Sequence, residues 1–186
     1  MDRQFVIFTL ADESFGVAIA LVERIIELRS VARVPFAPDF FHGVVNLDDR
    51  VLPVLDLRKR FGFPAQPPTR ETRLLVVAVA GVRVGMRVDR VTQVLTVSDA
   101  DIEPLPPIVA TVHSHFITGI AKVARTAPES EGMAQAEERR LIILLNLRKV
   151  LSTDEKAALQ GWDYTLADVP EWAEDAAPEM LTDLKV

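Results

Sequence analysis

Val51-Leu52-Pro53-Val54-Leu55-Asp56-Leu57-Arg58-Lys59 returns ninety positions later as Leu141-Ile142-Ile143-Leu144-Leu145-Asn146-Leu147-Arg148-Lys149. Each copy opens with a short apolar run rich in branched side chains, the pattern of a buried strand. Working outward, the repeat extends over most of the chain. Gly43-Val44-Val45 meets Gly119-Ile120-Ala121 at a shift of 76, and Phe5–Pro35 overlays Leu74–Pro104 without a gap at a shift of 69. In that last overlay Gly16 meets Gly85, Val22 meets Val91 and Pro35 meets Pro104. Only four of the 31 positions are identical, so the coincidence of apolar positions carries the match. The jump between shifts has one source: Ala124–Arg140 stands where the first copy has the tight turn Asp48–Arg50.

The remaining strand candidates are Phe5–Leu10, Phe15–Ile19 and Leu74–Val79, separated by turn signals at Ala11–Glu13, Ala80-Gly81 and Pro64–Pro68. No long helical pattern lies between the early strands, which argues against an α/β sheet. The expected architecture is all-β: two five-stranded barrels related by internal duplication, since closure removes exposed edges. The expected boundaries are 1–65 and 66–151 for the two barrel units, 152–160 for a C-terminal helix and 161–186 for an acidic tail. Ser152-Thr153-Asp154-Glu155 reads as the capping box that starts that helix. A helical turn is expected at Leu21–Ile25, and another near Met133–Arg139 within an insert poor in core-forming residues.

With 186 residues the chain is long enough to bury about 70% of its extended surface. The absence of cysteine excludes a disulfide framework, a thiolate nucleophile and sulfur metal ligation. The longest apolar run, Leu74–Val82, is too short for a membrane span, and no signal-peptide pattern is present. A soluble cytoplasmic protein without direct membrane insertion is expected. The net charge of −6 is uneven: residues 161–186 hold seven acids and one base, leaving 20 of each in the rest. Near-neutral barrels lack the positive footprint that nucleic acid requires.

Several residue types invite a chemical reading. His113 and His115 sit two apart, but no further metal-ligand pattern follows them, so exposed loop histidines are the preferred reading. Asp56 and Asp89 read better as acceptors for strand-end turns or a neighbouring arginine than as a catalytic carboxylate pair. Arg58-Lys59-Arg60 reads as a solvated strand end. Neither a Gly-x-Ser-x-Gly elbow nor a phosphate-binding glycine loop is present, so no catalytic residue, cofactor or metal is expected. The tail holds both tryptophans, Trp162 and Trp172, and the one tyrosine, Tyr164, which a merely solvating tail does not need; docking by these aromatics, onto the barrels or onto a partner, is weighed against a flexible extension beyond the C-terminal cap.

Taken together, Phe15–Ile19, Gly43-Val44-Val45-Asn46-Leu47, Pro53-Val54-Leu55-Asp56-Leu57-Arg58, Val84–Val91 and Thr118-Gly119 resemble the bacterial chemotaxis coupling protein (CheW-like) family over about residues 4–160. The resemblance implies two SH3-like barrels and a non-catalytic scaffold. Its implied partners are the cytoplasmic tip of a methyl-accepting chemoreceptor and the regulatory domain of a CheA-type histidine kinase, with self-association in rings, at arrays beneath the inner membrane. The family's receptor-facing groove maps onto Ile19, Val22, Arg24, Gly43, Asn46 and Asp48. The kinase-facing surface maps onto Glu103 and Ile108. Two departures stand out. Arg24 stands where the family often has Glu, and Asp48-Asp49 stands where it usually has Arg-Gly. The resemblance implies that Arg24 and Asp48 are neighbours, either as an ion pair of reversed polarity or as drift at an exposed turn with weakened binding. The alternative implied function is an adaptor of an accessory, non-flagellar pathway such as twitching motility.

Overall fold

The computed structural model describes residues 1–79, 81–106, 115–124 and 139–159. Ile108, His113, the acidic tail and all but Arg139 of the helical turn expected near Met133–Arg139 lie outside the described residues, and Arg139 opens a strand. The strands are β1 Asp2–Leu10, β2 Glu13–Ala18, β3 Val22–Glu27, β4 Phe41–Leu47, β5 Arg50–Asp56, β6 Arg73–Val79, β7 Val82–Val88, β8 Arg90–Ser98, β9 Ile102–Glu103, β10 Ile117–Ala124 and β11 Arg139–Leu145. The helices are α1 Leu57–Arg60 and α2 Thr153–Leu159. Instead of the helical turn expected at Leu21–Ile25, a single 3-10 turn covers Ile19–Leu21 and β3 follows at once. The β-branched pair Ile25-Ile26 favours the extended form that β6 offers a partner.

Two sheets form, in the orders β8-β1-β2-β11-β10-β9 and β3-β6-β7-β5-β4. By the repeat, β1 and β2 correspond to β6 and β7, β3 to β8, β4 to β10 and β5 to β11. The two sheets therefore have the same order, with the first two strands of each copy exchanged. β1 pairs with β8, and β6 pairs with β3. Two parallel seams complete the exchange: β2 on β11 and β7 on β5. Gly16 and Gly85 sit in those seams. A Cβ on Gly16 would lie 2.9 Å from a Leu144 methyl, and one on Gly85 3.1 Å from a Leu52 methyl.

Each sheet closes because one strand bends round to both edges. β8 lies at one edge, turns through Asp99–Asp101, and continues as β9 at the other edge beside β10. In the second sheet the chain beyond β3 reaches β4 through the Ala32–Val44 bridge. These are two SH3-like barrels, as expected.

The exchange explains the unbroken apolar runs. Val6, Phe8 and Leu10 of β1 face a core shared by both barrels, together with Leu75, Val77 and Val79 of β6 and Val84, Met86 and Val88 of β7. Phe5 and Ile7 face the interior of the six-stranded barrel, with Val97, Ala121, Ile142 and Leu144. Leu74 and Val76 face the interior of the five-stranded one, with Val45, Leu52 and Val54. A strand buried on both faces shows no alternation.

Arg58-Lys59-Arg60 is not a solvated strand end. It forms α1, and only Lys59 is exposed. Arg58 is buried and donates through Nε to Asp89 at 2.7 Å. Arg60 donates to both carboxylate oxygens of Glu155, at 2.8 and 2.9 Å, and lies over the Phe40 ring. The reason is local: Asp56 caps a turn of helix just where β5 ends, and that turn swings the basic side chains inward.

The capping box expected at Ser152 forms. Ser152 N–H donates to Glu155 Oε2 at 2.7 Å, and Glu155 N–H donates to Ser152 Oγ at 3.2 Å. Burial pushes the Glu155 carboxyl upward, but the bonds from Ser152 and Arg60 outweigh it and hold the group below its ordinary 4.5. A lowered folded-state value means stability that is present above pH 4.5 and lost as pH falls through the folded value. In urea unfolding, Ser152→Ala is expected to cost about 1 kcal/mol. Glu155→Gln is expected to flatten the acid side of the stability profile.

Candidate functional site

Three of the mapped groove residues, Arg24, Asn46 and Asp48, lie at the seam of the five-stranded barrel, where the edge strands β3 and β4 approach each other. Register along β3 is interrupted between Val22 and Arg24, so that Val22 faces Val77 and Arg24 faces Val76. The irregularity puts Val22 against the shared core and Arg24 on the barrel side, in line with Ile26. Across the seam, β4 and β5 are joined by a two-residue turn, Asp48-Asp49, both with positive φ (55° and 61°). Such turns need residues that tolerate the left-handed region, and aspartate does. Turn geometry therefore accounts for an Asp at 48 without accounting for its partner. That partner is Arg24, whose guanidinium donates to the Asp48 carboxylate as expected.

Arg24, Asn46 and Asp48 line one pocket of about 320 Å³, together with Ile26, Arg29 and Leu47. Ile19 and Val22 do not line it. Ile19 is exposed in the turn that leads into β3, and Val22 is half-buried at the start of the strand. Gly43 lies at the other end of β4 and acts by shape. Its φ is +141°, and a Cβ there would lie 2.3 Å from the Ala32 carbonyl oxygen. Glu103, on the far barrel, accepts from Lys122 Nζ at 2.6 Å.

Asp56 and Asp89 take the structural roles expected of them. Asp56 accepts from the Arg58 backbone N–H and from Arg87 Nη1. Asp89 accepts from the Ala11 N–H and from Arg58 Nε. The Pro-x-x-Asp-Leu-Arg string (53–58) and the Val-Asp-x-Val string (88–91) are thus joined physically by the Arg58–Asp89 pair. That buried network marks the fold, not a binding surface. His115 Nε2 lies 2.9 Å from the Lys149 carbonyl oxygen, its ring against Phe116.

Sequence reading missed a second surface region. The loop Val34–Phe41 packs beside α2 and leaves an apolar groove of about 290 Å³, with Phe36 fully exposed on its rim. The available signal was an aromatic residue held between Pro35 and Pro38, away from any strand pattern.

Two closed barrels with exchanged strands, a charged seam and an apolar groove define a class: a double-barrel module with two separate surface features. Residues 4–155 match the CheW-like domain. The chemotaxis protein CheW of Rhizobium meliloti (strain 1021) is 33% identical over 156 residues, covering 84% of this chain and 92% of that protein. The chemotaxis protein CheW of Klebsiella aerogenes is 30% identical over 159 residues, covering 86% and 87%. Among solved structures, the scaffolding protein TtCheW from Thermoanaerobacter tengcongensis superposes with a TM-score of 0.69 at 30% identity, covering 83% of this chain and 96% of that one. The chain belongs to the CheW-like family.

Proposed function

We propose that this chain is a chemotaxis-type scaffold that couples the cytoplasmic tip of a chemoreceptor to the regulatory domain of a CheA-type histidine kinase. It acts by protein–protein contact without chemistry of its own, in receptor arrays beneath the inner membrane. The observation that carries this reading is the pocket that unites Arg24, Asn46 and Asp48, three of the positions that correspond to the family's receptor-facing groove. Ile19, exposed in the turn before β3, and Val22, at the start of β3, belong to the same mapped surface outside the pocket, and Gly43 shapes it. Glu103 and Ile108 belong to the kinase-facing side.

A second reading has its own observation. The pair across the seam runs from an Arg on β3 to an Asp in the turn, the reverse of the family's usual Glu and Arg. A receptor tip that fits it carries inverted charges, because like charges facing each other across an interface cost several kcal/mol. That favours an adaptor of an accessory, non-flagellar pathway with its own receptor.

Titration with a receptor-tip helical hairpin from the same genome tests both readings. Arg24→Glu and Asp48→Arg, each alone, are expected to weaken binding roughly tenfold, about 1.4 kcal/mol. The two together are expected to restore part of the loss. Unfolding stability should change by less than about 1 kcal/mol, because the pair is half exposed on both sides. Wild-type affinity in both single variants would remove the pocket from the receptor interface.

A further inference from the structure

The apolar groove beside α2 borders a second, polar pocket. The two share Val34, Ala37, Pro38 and Phe41 as a common wall. Beyond that wall stand Arg33, Lys59, Arg87 and His42, with two carboxylates, Asp39 and Asp56, so that cations outnumber acids by three to two. Arg87 is neutralised by Asp56, but Arg33 and Lys59 form no ion pair among the described residues. Burial holds His42 below its ordinary 6.5, with Arg87, Lys59 and Arg33 adding to it and Asp56 opposing it. The composite surface is thus an apolar trough with a cationic end.

The rim of the trough is itself unusual. Phe36 is fully exposed and has φ +59°, a left-handed conformation that is strained for an aromatic residue. A strained, solvated aromatic beside an apolar trough leaves apolar surface that an aromatic segment could cover. The opposite wall is formed by Leu151, Glu155, Ala158 and Leu159. At Leu159 the described chain ends, with 27 residues of sequence still to follow. Those residues begin on the wall of the trough. Their composition matches it: Trp162, Tyr164 and Trp172 for the apolar part, and Asp163, Asp168, Glu171, Glu174 and Asp175 for the cationic part.

We propose that residues 160–186 of this chain dock into this trough, aromatic side chains between the Val34–Phe41 loop and α2, carboxylates towards Arg33 and Lys59. Three residues of extended chain reach about 10 Å, which brings Trp162 over the trough from its own rim. Tethering at such short range gives an effective concentration on the order of millimolar, so a weak contact suffices.

Both tryptophans of the chain lie in this segment, so tryptophan fluorescence of the full chain reads its environment alone. The expected result is a blue-shifted emission and several-fold weaker acrylamide quenching than for a free peptide of residues 160–186, unchanged on dilution. Phe36→Ser should raise quenching towards the peptide value. So should Arg33→Glu with Lys59→Glu, and added salt should act in the same direction. All three positions are exposed, and far-ultraviolet circular dichroism confirms that the variants fold. Quenching in the wild-type chain equal to that of the peptide overturns the proposal. Protection that survives both sets of substitutions places the segment elsewhere and also overturns it. Protection that vanishes on dilution assigns the trough to the segment of a second copy and overturns docking within one chain.

Discussion

Asp56→Ala is expected to remove about 3–5 kcal/mol of stability, the cost of leaving a buried charge without its partner. Asp56 is 1% exposed and Arg87 5% exposed, and Arg87 Nη1 donates to Asp56 Oδ2 at 2.7 Å. Arg87 retains the Gln66 carbonyl oxygen as an acceptor, but that does not replace a counter-charge. The same substitution deletes the N-cap of α1, worth about 1 kcal/mol more. It also loosens the turn that aims Arg58 at Asp89. Urea unfolding should show the loss as a lower midpoint with an unchanged slope. Lys59→Ala, one exposed residue in the same turn, should stay within about 0.5 kcal/mol of wild type. Replacing the pair together, Asp56→Leu with Arg87→Met, should be milder than Asp56→Ala alone, because no charge is stranded. If Asp56→Ala behaved like Lys59→Ala, the buried network would not hold the barrels in the way described.

Gly43→Ala carries the second large effect. The backbone conformation at φ +141° costs a side chain about 1–3 kcal/mol. The added methyl also meets the Ala32 carbonyl oxygen at 2.3 Å and a Val31 methyl at 2.7 Å. Relief requires moving backbone, a cost of about a further 1–3 kcal/mol. The contact that must yield is the Ala32–Val44 bridge, which closes the five-stranded barrel. Gly43→Ala is therefore expected to open the seam that carries Arg24 and Asp48, and to weaken receptor-tip binding without removing a contact residue. Gly62→Ala is the control. Its φ is +77°, but nothing lies within 4 Å of the added methyl, so only the conformational cost applies. Equal losses in the two variants would show that steric overlap at Gly43 plays no part.

Much of the fold was legible. Phe5–Leu10 and Leu74–Val79 announce strands buried on both faces, and the paired glycines announce a duplicated unit. The exchange of strands was not legible, for a reason inherent in duplication. β1 has two candidate partners of equivalent pattern, β3 in its own copy and β8 in the other, and local complementarity cannot choose between them. The choice is made by the shared core, where Val6, Phe8 and Leu10 must meet Leu75, Val77 and Val79. Charged residues were legible only where a turn fixed them. The proximity of Asp48 and Arg24 came from the family resemblance, since the expected helical turn at Leu21–Ile25 hid the edge strand that carries Arg24. Arg58 misled, because a basic run normally marks solvent, while here one aspartate at the strand end turns it inward. The apolar trough left only a faint signal, Phe36 between Pro35 and Pro38, because its two walls, 34–41 and 151–159, are distant in sequence and nothing local pairs them.

The most direct test of the account is whether this chain bridges its two proposed partners. Receptor-tip hairpins fixed on a support are incubated with the kinase regulatory domain, with and without the full chain. The account predicts that the kinase domain is retained only when the chain is present, and that Arg24→Glu releases the chain and the kinase domain together. Binding of either partner alone, with no kinase domain retained in the three-component mixture, would contradict it.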